Sequence, residues 1–150
     1  MKIYGISGLG ADKRVFEYLT LNNEFIPIDW IEPIKNETLS QYSKRLSAVI
    51  NTEESFCIMG VSFGGLVATE ISKQLSPKTT ILISSAETKH ELRPIYRWFG
   101  KTGLIRLIPT KMFDPSRKVA HFLFGTQNTQ LLNNILDDTD LKFVKWAVQQ

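Results

Sequence analysis

The chain reads as an α/β protein: a parallel sheet of about four strands flanked by helices, followed by a helical cap segment. Three observations predict this. Short apolar runs alternate with segments of helical spacing as far as residue 86. A glycine–serine turn joins one of those runs directly to a helix. From residue 87 onward helical patterns follow one another with no strand between them. The expected division is therefore a sheet-bearing core at 1–86 and a helical cap or insert at 87–150.

Lys2 to Ile6 is the first strand, short and partly β-branched. Ser7-Gly8-Leu9-Gly10-Ala11-Asp12 is a glycine-rich turn at its end. Dinucleotide binding is excluded there, because the third glycine position of G-x-G-x-x-G is occupied by Lys13. Such a loop has a second use, which is to present backbone N–H groups to an anion. Arg14 to Leu19 has the spacing of a short helix with Val15, Phe16 and Leu19 facing inward. Phe25 to Trp30 is the second strand, closed by Glu32-Pro33. Thr38 and Gln41 are spaced as a capping box, and Leu39, Tyr42, Leu46, Val49 and Ile50 then form one apolar face.

Phe56 to Met59 is a third, buried strand. It runs into Gly60-Val61-Ser62-Phe63-Gly64 and a helix marked by Leu66, Val67, Ile71 and Leu75, which ends near Ser76-Pro77. Strand, G-x-S-x-G and helix together are the context of a nucleophile elbow, at residues 60–64. Lifting a serine hydroxyl clear of a sheet demands a turn sharp enough to strain Ser62. A Cβ at Gly60 or Gly64 would collide as strand and helix close up. The turn sets Ser62 beside the first N–H groups of a helix, where developing negative charge is favoured, and places the Phe63 N–H as an oxyanion donor. A tight turn with an uninvolved serine has the same five letters; the strand before it and the helix after it favour the elbow.

Thr79 to Ala86 is the fourth strand, continuous enough to be buried on both faces. Beyond it the helical pieces are Leu92–Phe99, Leu104–Ile108, Ser116–Phe124, Gln130–Leu136 and Leu141–Val148. Gly100-Lys101-Thr102 resembles a P-loop ending, but position 95 is Ile and no strand precedes it. The insert is rich in aromatics (Trp98, Phe99, Phe113, Phe122, Phe124, Phe143), which suits either a lid over a pocket or plain packing onto the sheet.

Composition narrows the function classes. The 150 residues are 43% hydrophobic and 22% charged, which suits one ordinary globular domain. The net charge of +3 is mild and its cations are scattered, so no nucleic-acid partner is expected. No run approaches a membrane helix, which needs about 18 apolar residues, and the first residues lack signal-peptide architecture. A cytoplasmic location is the expectation. The single cysteine, Cys57, lies in a strand and reads as a packed thiol. No metal, flavin or nicotinamide constellation stands out, so no cofactor is expected.

The strand followed by Ser7-Gly8-Leu9-Gly10, then Gly60-Val61-Ser62-Phe63-Gly64-Gly65, then Ile83-Ser84-Ser85-Ala86 and a helical insert, resembles the α/β-hydrolase family. The resemblance covers Lys2 to Ala86, and the insert is similar to that family's cap. It implies a serine nucleophile at Ser62, with oxyanion donors at the Leu9 and Phe63 N–H groups. In the family a His usually precedes the glycine of the oxyanion loop, and Ser7 stands in its place here. The family pattern also continues past the cap with two strands carrying an acid and then a general-base His, so the resemblance is to an incomplete fold. The candidates for those roles in this sequence are Glu87, His90 and His121.

Two expectations follow. One is a serine hydrolase for a small ester or thioester, in truncated form or with its base supplied by a second polypeptide. The other is a non-catalytic binding or dimerisation module. Either way the fourth strand is left as an open apolar edge, and a homo-oligomer through that edge is expected.

Overall fold

Every strand of the sheet runs parallel to its neighbours, in the order β2-β1-β3-β4. This computed structural model describes residues 1–85 and 129–150. The elements, in chain order, are β1 (Lys2–Ile6), β2 (Phe25–Ile28), α1 (Leu39–Leu46), β3 (Phe56–Val61), α2 (Phe63–Leu75), β4 (Thr79–Ile83), α3 (Thr129–Asp137) and α4 (Leu141–Ala147). The helical pieces expected between residues 92 and 124 lie outside the described residues.

Side chains alternate across the strands and build a core on each face. Tyr4, Ile6, Phe56 and Ile58 point to the side covered by α1, α2 and α4, where they meet Tyr42, Leu46, Val67, Ile71 and Phe143. Ile3, Cys57 and Met59 point the other way and meet Phe16. Cys57 is buried and free, as its strand position predicts. Pro27 sits opposite Gly5 in β2, which among the described residues pairs only with β1; an edge tolerates the missing donor.

The capping box predicted for α1 is present, with the Thr38 hydroxyl accepting from the Gln41 N–H and the Gln41 side chain accepting from the Thr38 N–H. α2 stops where Ser76 turns left-handed, at φ 50, ahead of Pro77.

Three expectations are corrected. The segment after Asp12 is a 3-10 turn over Lys13–Phe16, and only Phe16 is buried while Val15 and Leu19 are exposed. Its tighter winding cannot keep three apolar side chains on one face. Val49 leaves the α1 stripe and is exposed, because α1 tightens into a 3-10 turn at Ser47–Val49. β4 is not buried on both faces: Thr79 and Ile83 are exposed and the residues between them half-buried. Among the described residues it pairs on one side only, with β3.

The order β2-β1-β3 fixes where a site can form. The chain leaves β1 for β2 on one side and returns to β3 on the other. The loops at the carboxyl ends of β1 and β3 therefore part from each other and leave a crevice between them. Ile6 stands opposite Gly60 in the ladder, so the turns that follow those two residues lie side by side.

Candidate functional site

Ser62 is the residue on which β3 becomes α2. Its backbone takes φ 52 and ψ −121, a region that costs an L residue about 1–3 kcal/mol. Surrounding contacts hold it there. The Ser62 N–H donates to the Ile83 carbonyl of β4 at 2.9 Å, and the Ser62 carbonyl accepts from the Gly65 N–H at 2.9 Å. The Ser85 hydroxyl donates to that same carbonyl at 2.6 Å. The Ser62 side chain is exposed and makes no capping hydrogen bond to its own helix.

The turn closes because its flanks lack side chains. A Cβ on Gly60 would run into the Gly64 carbonyl, and one on Gly64 into the carbonyls of Ser7 and Ile6. The second of these contacts brings α2 directly onto the end of β1.

The β1 turn lies against the other. A Cβ on Gly8 would stand 3.5 Å from the Ser62 Cβ, so this backbone flanks the serine. The Ala11 N–H donates to the Gly8 carbonyl at 3.1 Å and closes a four-residue turn, in which Gly10 takes φ 70. A positive φ at that third position is what a type II turn requires. The Gly8 carbonyl points into the turn, so the Leu9 N–H, on the opposite side of the same trans peptide, points out of it. Neither the Leu9 nor the Phe63 N–H has an acceptor among the described residues.

Three side chains hold the β1 turn. Ser7 is 1% exposed, and its hydroxyl donates to the Ala11 carbonyl at 2.8 Å. The Trp30 indole donates to the same oxygen at 2.9 Å. Thr139, in the link between α3 and α4, donates to the Gly10 carbonyl at 2.8 Å. Arg14 ties that link down by bridging Asp12 and Asp138, and hydrogen bonding from Arg14 holds the Asp12 carboxyl below the usual carboxylate range.

Trp30, Tyr42, Phe63, Phe143 and Trp146 meet in one cluster. The Phe63 ring lies 6.0 Å from Trp30, 6.2 Å from Phe143 and 6.4 Å from Trp146. Phe143 thus packs against the core, and α4 rests on the residue that follows Ser62.

Behind the β1 turn a cavity of about 540 Å³ opens between Ala11, Trp30, Thr139 and Phe143. Four of the carboxylates at its rim are engaged: Asp12 and Asp138 with Arg14, Asp29 with Lys13, and Asp140 as the cap of α4. Among the described residues no group of three or more His, Cys, Asp or Glu is placed to hold a metal, and no helix is long and apolar enough to cross a membrane.

Of the residues singled out from sequence, the structure brings Ser62, Phe63 and the Leu9 turn together. Glu87, His90 and His121 lie outside the described residues. The roles of Trp30, Ser85 and Thr139 are not ones the sequence predicts. Only the pair of serines at the end of β4 left any mark in the sequence.

No family model and no curated relative matches the sequence. Comparison of folds is more informative. MenH from S. aureus superposes with a TM-score of 0.70 at 15% identity, over 99% of this chain and 65% of that one. A hydrolase from Pseudomonas aeruginosa PA01 gives 0.68 at 13% identity, over 99% and 62%. A hydrolase from Oleispira antarctica gives 0.65 at 15% identity, over 99% and 64%. The chain spans less than two thirds of the length of each of these structures. With its parallel sheet and the switch point between β1 and β3, the chain has the α/β-hydrolase fold, over that part of its extent.

Proposed function

We propose that this chain carries the nucleophile half of a serine hydrolase acting on a small ester or thioester. The observation behind this reading is the backbone of Ser62. It sits at a strained φ of 52 with its hydroxyl exposed at the start of a helix. Strain of that kind persists where the surroundings over-determine it, which favours sites of chemistry. In the reaction Ser62 Oγ attacks the acyl carbonyl, and its proton passes to a general base. The oxyanion is received by the Leu9 and Phe63 N–H groups. The tetrahedral intermediate then expels the alcohol or thiol, and water releases the acyl group from Ser62. On this reading the nucleophile and both donors lie among the described residues. The base and its acid come from elsewhere, Glu87, His90 and His121 being the candidates within this sequence. The free, buried Cys57 suits a reducing compartment such as the cytoplasm.

A fluorophosphonate probe tests the reading. Labelling of the full chain at Ser62, abolished by Ser62→Ala, is the expected result. An unlabelled chain that remains folded sinks it.

A second reading, a binding or dimerisation module, is favoured by β4. Among the described residues its outer edge is unpaired, and Ile83 at its end is exposed. An open edge invites a strand from a second copy. That reading expects a dimer in light scattering at micromolar concentration together with no labelling of Ser62.

A further inference from the structure

We propose that Thr139 is a positioning residue for the oxyanion site, acting from the α3–α4 link on the turn that carries the Leu9 N–H. The proposal rests on the hydrolase reading above. It is carried by the convergence of one short segment on both donor loops. On one side the Thr139 hydroxyl donates to the Gly10 carbonyl at 2.8 Å. Its methyl group stands 3.3 Å from where a Gly10 Cβ would be, so the side chain also fills the space over the turn. On the other side Phe143 and Trp146 of α4 pack against the Phe63 ring.

The geometry shows why Gly10 is the atom group to hold. The direction of the Leu9 N–H is set by the Gly8–Leu9 peptide, whose carbonyl is tied to the Ala11 N–H. That tie persists only while Gly10 keeps its positive φ, and a glycine is free to leave it. Ser7 and Trp30 fix the Ala11 carbonyl. Thr139 fixes the carbonyl of the Gly10–Ala11 peptide, whose N–H is the Ala11 donor to the Gly8 carbonyl, so it steadies the bond that closes the turn. The hydroxyl has one proton, shared in a three-centre bond between the Gly10 carbonyl and that of Ile135 at 2.9 Å. It therefore couples the turn to the end of α3 rather than to a loose segment. Arg14, bridging Asp12 and Asp138, anchors the same link from the far side of the turn.

The test is the second-order rate at which the full chain is phosphonylated at Ser62 by a fluorophosphonate. Thr139→Val keeps the shape and removes the hydroxyl, whereas Thr139→Ser keeps the hydroxyl. Removing a donor outright costs about 10²–10³ in rate, so loosening one is expected to cost roughly tenfold in Thr139→Val. Thr139→Ser is expected to stay within about threefold of the parent, since the hydrogen bond that positions the turn survives. A merely structural role would instead lower the melting temperature of Thr139→Val and leave the labelling rate of folded protein unchanged; that result overturns the proposal while the hydrolase reading stands. Absence of labelling in the parent chain overturns both. Should Thr139→Val fail to fold, Asp138→Asn loosens the same link from Arg14. A smaller slowing of labelling in that variant supports the proposal, and an unchanged rate overturns it.

Discussion

The turn after β3 is held by its glycine flanks and the end of the neighbouring strand, whereas the turn after β1 is held by side chains, one of them arriving from 129 positions away. At the β3 turn two glycines let strand and helix close, and every bond to the Ser62 backbone comes from a residue within 23 positions of it. At the β1 turn Ser7 and Trp30 act from 4 and 19 positions away from Ala11, but Thr139 acts from 129 positions away from Gly10. The two turns end against each other, with Gly8 beside Ser62. Only the second takes a bond from a residue more than a hundred positions away. The second is a permissive Gly-Leu-Gly segment that takes its shape from what is packed on it.

The largest effect is expected where the local device is broken. In Gly64→Ala the new methyl meets the carbonyls of Ser7 and Ile6, which belong to the backbone of the sheet and cannot swing aside. Alanine gains up to about 1 kcal/mol of helix propensity. The overlap outweighs it, for a net loss of about 3 kcal/mol or more, the upper range of overpacking. Urea denaturation measures it. An unchanged midpoint would mean that α2 can back away from β1 freely, and the contrast between the turns would fail.

The same contrast explains what could be read from sequence. The β3 turn was legible because its requirements (small flanks, a polar apex, apolar strand and helix on either side) fall within about fifteen consecutive residues. The α1 cap was legible for the same reason. The hold on the β1 turn was not. Thr139 sits between two helical patterns with nothing to mark it, and its partner is a carbonyl, which has no sequence identity. Val15, Val49 and β4 misled for related reasons. A 3-10 turn spends the helical period early, and an apolar run does not say how many neighbours it will find. The positions meant to complete the chemistry, Glu87, His90 and His121, lie outside the described residues.

A middle-sized effect is expected at Glu37, on which α4 stands. Its carboxylate accepts from Arg45 at 2.7 and 2.9 Å and from the Ile34 N–H at 2.9 Å, and its carbonyl accepts from the Trp146 indole at 3.1 Å. Hydrogen bonding from Arg45 holds the carboxyl below its ordinary value of 4.5. A depressed carboxylate stabilises the fold fully above the unfolded-state pKa and loses that contribution as pH falls through the folded one. Arg45 is partly exposed, so water screens the pair, and Glu37→Gln is expected to cost about 1–2 kcal/mol at neutral pH. The gap between parent and variant should narrow as the pH is taken from neutral down through the folded-state pKa, which lies below 4.5. Urea midpoints measured across that range check this. A gap that persists in acid would show that the carboxylate's charge does not anchor α4, and with it the dependence of the β1 turn on distant residues would lose a support.

The smallest effect is expected at Ser43, and it separates partnered polar groups from merely buried ones. Each side chain that holds the β1 turn has a partner. Ser43 is fully buried in α1, and its hydroxyl has none among the described residues. Its desolvation is uncompensated in the folded state, and serine is a poorer helix former than alanine. Ser43→Ala removes both penalties and leaves a void of one oxygen atom. The expected change is a gain of about 0.5 kcal/mol, with labelling of Ser62 unaltered. That corresponds to roughly 1–2 °C in melting temperature for a chain of this size. A loss comparable to that of Glu37→Gln would mean that burial alone, without a partner, stabilises these side chains. The hydrogen bonds from Ser7, Trp30 and Thr139 would then explain nothing about why the β1 turn keeps its shape.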